Sequence, residues 1–151
     1  MSPLISETNT SFKWFILATA TFVTMLYAMN VTIASIALSD MRGAMGATQD
    51  QISWVVTGNI VATAIFTPFA GWLSSRIQIR TILFFSVIGF IISSIFCGMS
   101  DSLEEIVIAR VAQGIFGAPL PPLSQTLVLA VFPKRQISVA MAVWGMGTIL
   151  G

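Results

Sequence analysis

Long uncharged apolar segments alternate with short polar segments along the whole chain. A helix that crosses a hydrocarbon core about 30 Å thick needs roughly 18 or more such residues, because each residue adds about 1.5 Å. Four uncharged segments meet this requirement: residues 14–39, 51–75, 81–100 and 111–133. A fifth runs from Gln136 to Gly151, and its 16 residues are fewer than the ~20 needed to cross.

This pattern predicts an all-α membrane protein. Its complete transmembrane helices are expected at about 14–38, 51–74, 81–100 and 103–132, and the start of a fifth at 137–151. Sequences of the capping-box form precede the second and fourth helices, Thr48 with Gln51 and Ser102 with Glu105. The first helix is too long for a signal-peptide core and is expected to be retained. Residues 1–13 then form an N-terminal tail, and no separate soluble domain is predicted.

The composition agrees with a membrane protein and excludes several other classes. Hydrophobic residues make up 56% of the chain and charged residues 9%, with a mean hydropathy of +0.90, whereas a soluble domain carries about 25% charged residues. The net charge of +1 gives no reason to expect a nucleic-acid partner. Histidine is absent and Cys97 is the single cysteine, so we predict no metal site, no cofactor and no enzyme activity.

The basic residues predict the orientation, because cytoplasmic loops collect Lys and Arg. Five of the basic residues fall before the first helix or in the second and fourth connections: Lys13, Arg76, Arg80, Lys134 and Arg135. The other connections hold Arg42 and most of the acidic residues. We therefore expect a multi-pass protein of the inner (plasma) membrane with a cytoplasmic N-terminus. Three tryptophans near span ends are predicted to be interfacial anchors: Trp14, Trp72 and Trp144.

Arg110 is a charge inside the fourth predicted helix, where insertion scales put its cost at about 2.5 kcal/mol or more. One interpretation is that it snorkels towards the outer interface or towards two nearby glutamates, Glu104 and Glu105. The other is that it faces a polar cavity. Three residues follow on the same helix face, at i+3, i+4 and i+7: Gln113, Gly114 and Gly117. Further along, Pro119, Pro121 and Pro122 predict a kinked or locally unwound segment.

The segment from Arg110 to Gly117 resembles the fourth-helix signature of the major facilitator superfamily, Arg-x-x-Gln-Gly. Its continuation over 118–125 is similar to the drug/proton antiporter branch with fourteen spans, the EmrB/QacA type. Helix two resembles the same branch from Trp54 to Leu73, and helix one resembles it at Asn30 and Thr32. The fifth helix resembles a glycine-rich antiporter motif, at Gly145, Gly147 and Gly151. The resemblance covers about 12–151.

The resemblance implies the N-terminal part of a helical bundle in which two six-helix halves alternate access. Its partners would be the lipid bilayer, a small amphipathic substrate that is exported, and protons that drive export. Arg110 would take part in proton coupling. The three glycines of helix five would form a tight helix contact that limits leakage; ordinary close packing is the alternative.

Two departures from the family pattern weaken these expectations. In the loop between helices two and three, Gly71, Leu73, Arg76 and Arg80 match. The aspartate and the second glycine of that pattern are replaced, by Ser75 and Gln78 respectively, so the charge clamp is expected to be weaker. The two arginines would then serve only as topology determinants.

The second departure is Asn30, which stands where the drug exporters carry an aspartate. An amide cannot take up or release a proton. No carboxylate lies within the four uncharged segments, so we expect no proton relay from this part of the chain alone. Alternating access also needs two repeat bundles, so the sequence is expected to be a fragment of a transporter. An inactive remnant and a non-transporting membrane interaction protein remain alternatives. A small four-helix exporter acting as a dimer would need an acid in its first helix, and Asn30 disfavours it.

Overall fold

The computed structural model describes residues 10–45 and 48–151, together with the side chains of those residues except 35, 37–47 and 49–52. Within these ranges the chain forms α-helices joined by short connections. In chain order they are α1 (Thr10–Met45), α2 (Gln49–Ser74), α3 (Ile79–Met99), α4 (Leu103–Gly117), α5 (Leu120–Val131) and α6 (Ile137–Leu150).

Four segments are long and apolar enough to cross a membrane: Thr10–Ala34, Ser53–Ser74, Ile79–Met99 and Leu103–Val131. These segments confirm the prediction of an all-α protein with four complete spans. Helix α6, with 14 residues, is shorter. Large apolar side chains such as Phe15, Ile65 and Met99 are 65–73% exposed on the outer faces of the helices. Such surfaces are costly in water but match the hydrocarbon of a bilayer.

Helix α1 is longer than the sequence suggests. It begins at Thr10, inside the predicted tail of residues 1–13, and continues to Met45, beyond the predicted end near 38. The prediction stopped at the charged residues Asp40 and Arg42. Charge limits the part of a helix that can lie in hydrocarbon, but it does not end a helix, because the backbone hydrogen bonds can continue where the helix enters water.

The fourth span is divided into two helices, α4 and α5, at Ala118 and Pro119. Pro119, Pro121 and Pro122 lack an N–H group and cannot donate to the carbonyls of residues four positions earlier. The backbone dihedrals at Ala118 and Pro119 nevertheless remain in the right-handed helical region, with φ of −52° and −73°. The span therefore loses backbone hydrogen bonds at this point, but its backbone stays helical.

The two halves of the fourth span pack against different helices. Helix α4 lies mainly against α2 and α3, whereas α5 and α6 lie mainly against α1. A buried apolar cluster joins α1 to α5 and α6; it comprises Leu17, Ala20, Val128, Val131, Phe132 and Ala140. The ring of Trp14 extends this cluster by packing edge-on against Phe132, at 5.7 Å between centroids.

The start of α4 has the hydrogen bonds of an N-terminal cap. The Glu105 N–H donates to Ser102 Oγ at 3.4 Å, and the Asp101 N–H donates to Glu105 Oε2 at 3.1 Å. The glutamate thus reaches one residue further back than the usual capping box requires. At the start of α2, Gln51 has no described side chain, so the other predicted capping box lies outside the described residues.

Candidate functional site

Arg110 is half-buried in α4 and bonds to two side-chain amides. Its Nη1 donates to Asn30 Oδ1 of α1 at 2.9 Å and to Gln113 Oε1 at 2.8 Å. Among the described hydrogen bonds none links it to Glu104 or Glu105. The contacts support the interpretation in which Arg110 faces a polar site within the bundle, not the one in which it snorkels.

Gln113 extends this network to α3. The side chain is 1% exposed, and its Nε2 donates to Ser94 Oγ at 2.7 Å. The Ser94 hydroxyl in turn donates to the Phe90 carbonyl at 2.8 Å. One continuous set of hydrogen bonds therefore joins α1, α4 and α3, in surroundings of low dielectric constant where such bonds are strong and costly to leave unmade.

The network holds a positive charge against neutral partners. A guanidinium stays protonated in proteins, whereas Asn30 and Gln113 carry no charge. The acidic residues of the sequence are Glu7, Asp40, Asp50, Asp101, Glu104 and Glu105. None of them falls between 51 and 100 or after 105. In addition, Arg110 Nε is buried without an acceptor among the described residues. Among the described residues the site therefore has no carboxylate against its charge and no acceptor for Arg110 Nε.

Helix α2 packs closely against the turn of α4 that carries Arg110. A Cβ added to Gly114 would lie 2.5 Å from the Asn59 carbonyl oxygen and 3.0 Å from Ala62 Cβ, so only glycine permits this approach. The Asn59 Nδ2 donates to the Arg110 carbonyl at 3.0 Å, and Thr63 Oγ1 donates to the Gly114 carbonyl at 3.3 Å. Gly114 thus serves close packing on α2.

Gly117 serves a different contact. A Cβ added there would lie 2.7 Å from Tyr27 Cε2 of α1 and 3.4 Å from Phe90 Cδ2 of α3. Of the three residues predicted to share a face with Arg110, only Gln113 bonds to it. The two glycines let α1, α2 and α3 approach α4 closely.

The helix-one motif is only partly at this site. Asn30 accepts the hydrogen bond from Arg110 described above. Thr32 is exposed, and its hydroxyl donates to the Ala28 carbonyl of its own helix at 3.1 Å. The structure therefore brings Asn30 to Arg110, whereas the hydrogen bond that Thr32 makes to a described residue is local to its own helix.

The loop motif between α2 and α3 lies apart from the Arg110 network. The Leu73 carbonyl accepts hydrogen bonds from the N–H groups of Arg76 and Ile77, at 3.0 and 2.9 Å, and these close the end of α2. The Arg76 guanidinium lies 5.5 Å from the ring centroid of Trp72. A Cβ added to Gly71 would meet none of the described residues within 4 Å, and Arg80 is exposed. Among the described residues no carboxylate contacts either arginine.

The glycines of the predicted helix-five motif do not act alike. An added Cβ on Gly147 would collide with Thr21 of α1, and one on Gly151 would collide with the Met25 carbonyl oxygen and lie 3.0 Å from Ala28 Cβ. One on Gly145 would meet nothing within 4 Å among the described residues. The expectation of a shared contact face therefore fails for Gly145, because a spacing of two residues turns a side chain to another side of the helix.

A second polar cluster was not predicted from the sequence. The Trp144 indole N–H of α6 donates to Thr24 Oγ1 of α1 at 3.1 Å and to Ser124 Oγ of α5 at 3.3 Å. The two hydroxyls are 3.2 Å apart, and both residues are 1% exposed. The prediction of Trp144 as an interfacial anchor is wrong, because its polar edge is turned inward to these hydroxyls. The sequence signal that could have identified this cluster is an uncharged polar residue inside an apolar span. Asn59 and Ser94 carry the same signal.

Comparison with known families assigns the class of protein. The sequence profile described as Major Facilitator Superfamily matches residues 20–151. The match includes the Arg110 network, the glycine contacts and the helices that carry them. The chain belongs to the major facilitator superfamily, and it is a multi-pass membrane protein.

Individual relatives agree with this assignment. The Multidrug export protein EmrB of Escherichia coli (strain K12) is 40% identical over 127 residues, which are 84% of this chain and 25% of the relative. The Probable multidrug resistance protein EmrY of the same organism is 34% identical over 137 residues, 91% of this chain and 27% of the relative. The Fatty acid resistance protein FarB of Neisseria gonorrhoeae is 35% identical over 122 residues, 81% of this chain and 24% of the relative. The chain spans about a quarter of the length of these relatives.

Proposed function

We propose that this chain forms the first helices of a multidrug-type efflux transporter that exports small amphipathic compounds in exchange for protons. The family assignment and the names of the relatives support export as the activity. The proposed location is the inner (plasma) membrane with the N-terminus in the cytoplasm, which is supported by the basic residues of the even-numbered connections.

The observation that carries this proposal is the hydrogen-bonded set Arg110, Asn30, Gln113 and Ser94, which joins three helices around a buried positive charge. Intramembrane charges are expensive and mark ion or substrate pathways. Because Asn30 cannot exchange a proton, the proposed role of Arg110 is electrostatic: it favours the ionised form of any carboxylate that comes near. Proton exchange itself then requires an acid that is not part of this hydrogen-bonded set.

The remaining motif residues have supporting roles in this proposal. Gly147 and Gly151 would seal α6 against α1 and limit leakage, whereas Gly145 is free of that contact. Arg76 and Arg80, which have no carboxylate partner among the described residues, would act through the charge of the cytoplasmic loop.

The test is an efflux assay on the full-length transporter in cells that lack other pumps for an amphipathic dye. Arg110→Ala is expected to abolish uncoupler-sensitive efflux while membrane insertion stays intact, because it removes the buried charge. Arg135→Gln, which changes an exposed loop cation beside Lys134, is the matched control and should transport normally. Unchanged efflux in Arg110→Ala would refute the role of Arg110. Lack of efflux in the unaltered protein would favour a non-transporting interaction protein.

Asn30→Asp tests the energisation separately. A carboxylate placed 2.9 Å from Arg110 Nη1 adds an ionisable group to the network, so the pH dependence of efflux is expected to change. An unaltered pH profile would mean that the lost acid does not affect coupling.

A further inference from the structure

An apolar groove lies between α2 and α3, next to the loop that joins these two helices. Its volume is about 310 Å³, and residues near the end of α4, such as Phe116, also line it. Phe69 of α2 and Phe85 of α3 are lining residues that are 50% and 63% exposed. Most of the other lining residues are apolar as well. The groove is therefore open at the surface of the bundle and suits a hydrocarbon chain.

The length of the groove matches part of a lipid chain. From Leu73 back to Phe66 it follows α2 for about 10 Å, at 1.5 Å per residue. One leaflet contributes about half of a hydrocarbon core that is about 30 Å thick. A chain that lay in the groove would thus pass through most of one leaflet, with its polar end at the α2–α3 loop.

Two exposed arginines stand at the loop end of this groove. Arg76 comes between two lining residues, Leu73 and Ile77. Arg80 directly precedes a third lining residue, Thr81. The positive charges are therefore beside the end of the groove and not inside it. This arrangement suits a phospholipid, because its glycerol separates the phosphate from the acyl chains.

Aromatic rings connect Arg76 to the wall of the groove. Its guanidinium lies 5.5 Å from the ring centroid of Trp72, and Trp72 stacks on Phe69 with 5.4 Å between the centroids. Phe69 is itself a lining residue. Stacking occupies the face of a guanidinium, whereas its N–H groups point outward in the plane and can bind two phosphate oxygens. The rings thus hold Arg76 beside the groove in an orientation that suits a phosphate.

The loop supplies no carboxylate to these arginines. Ser75 stands where the family pattern has an aspartate, and its hydroxyl donates to the Trp72 carbonyl at 2.6 Å. Helix α2 is about 39 Å long and α3 about 32 Å, so Asp50 and Asp101, at their far ends, cannot reach the loop. Among the described residues the two arginines therefore have no anionic partner, and an anionic ligand would provide one.

We propose that the α2–α3 groove binds an anionic phospholipid, with its phosphate on Arg76 and Arg80 and one acyl chain in the groove. The lipid belongs to the leaflet that borders the α2–α3 loop, which is the cytoplasmic leaflet in the proposed orientation. Basic pockets between membrane helices bind anionic headgroups, and each basic residue near the surface contributes about a fivefold gain in affinity. The groove shares no lining residue with the Arg110 network, so lipid binding is independent of the proposed proton exchange.

The first test measures lipid binding to the full-length transporter in detergent by native mass spectrometry. Dioleoyl phosphatidylglycerol is expected to bind about 25-fold more tightly than dioleoyl phosphatidylcholine, because two arginines contribute about fivefold each. Dihexanoyl phosphatidylglycerol has the same headgroup but leaves most of the groove empty, so it should bind at least about tenfold more weakly than the dioleoyl form. Equal binding of the two dioleoyl lipids, or of the long and short phosphatidylglycerols, would overturn the proposal.

Two double variants that remove the same charge locate the headgroup, and each is checked for thermal stability. Arg76→Gln with Arg80→Gln should lower the affinity for dioleoyl phosphatidylglycerol about 25-fold and abolish its preference over phosphatidylcholine. Lys134→Gln with Arg135→Gln removes two cations from the loop before α6 and should keep that preference. Equal losses in the two double variants would indicate a general effect of charge and would overturn the proposal.

Photolabelling locates the acyl chain in the unaltered protein. A phosphatidylglycerol that carries a diazirine in one chain should label Phe85 at least about fivefold more than Phe15 of α1, the factor expected for a held lipid over a passing one. The two phenylalanines are matched, since they are 63% and 69% exposed and lie near the same end of the bundle. Phe85 lines the groove, and Phe15 does not. Equal labelling would indicate ordinary contact with bulk lipid and would overturn the proposal.

Discussion

Replacing Gly114 by alanine is the sharpest test of how α4 is held in place. The added Cβ would lie 2.5 Å from the Asn59 carbonyl oxygen, 3.0 Å from Ala62 Cβ and 3.2 Å from Thr63 Oγ1. The nearest of these atoms belongs to backbone and cannot rotate away. Helices α2 and α4 must therefore separate locally, at the turn that carries Arg110.

The size of the effect follows from two terms. Overpacking of this kind costs about 1–3 kcal/mol. Separation also weakens the hydrogen bonds from Asn59 to the Arg110 carbonyl and from Thr63 to the Gly114 carbonyl, at about 0.6 kcal/mol each for a bond in a membrane protein. We expect a loss of roughly 2–4 kcal/mol in the free energy of unfolding from these terms together.

The assay is reversible unfolding of the full-length protein in mixed micelles, followed by tryptophan fluorescence. Gly145→Ala is the matched control: it lies inside a helix, and its added Cβ meets nothing within 4 Å among the described residues. It should be neutral or stabilising by up to about 1 kcal/mol, because alanine is the better helix former. If Gly114→Ala costs no more than Gly145→Ala, the close approach of α2 and α4 is not what the structure indicates.

Three further outcomes are expected in the same unfolding assay. Gly147→Ala should cost about 1–3 kcal/mol by pushing α6 away from α1, and stability equal to that of Gly145→Ala would contradict the contact. Trp144→Phe should cost about 1 kcal/mol because it removes the donor shared by two buried hydroxyls, whereas Trp54→Phe, on a residue 63% exposed, should change little. Ser102→Ala should lower the free energy of unfolding by about 1 kcal/mol because it removes the cap of α4. A separate amide hydrogen-exchange measurement should show faster exchange in the first turn of α4, and unchanged exchange would show that the cap is dispensable.

The spans could be predicted from the sequence because the bilayer imposes one simple requirement, a long segment without charge. Arg110 stood out for the same reason, since a charge inside such a segment is costly. The end of α1 could not be predicted in this way. The requirement applies to residues in hydrocarbon, and α1 continues past Asp40.

The partners within the bundle were harder to predict. Gly145 and Gly147 look alike in the sequence, and only the rotation of α6 against α1 decides which of them touches Thr21. Trp144 has the composition of an interfacial anchor, but its neighbours Thr24 and Ser124 come from helices that are distant in sequence. Such pairings depend on helix orientation, which a hydropathy pattern does not contain.

The interruption at Ala118 and Pro119 divides the bundle as well as one helix. The fourth span changes its packing partners at the position where its own hydrogen bonding lapses, from α2 and α3 to α1 and α6. The fourth span therefore connects two packing blocks, one of α2, α3 and α4 and the other of α1, α5 and α6. The bond from Arg110 to Asn30 crosses between those blocks. Relative motion of the two blocks at this level must therefore stretch or break it.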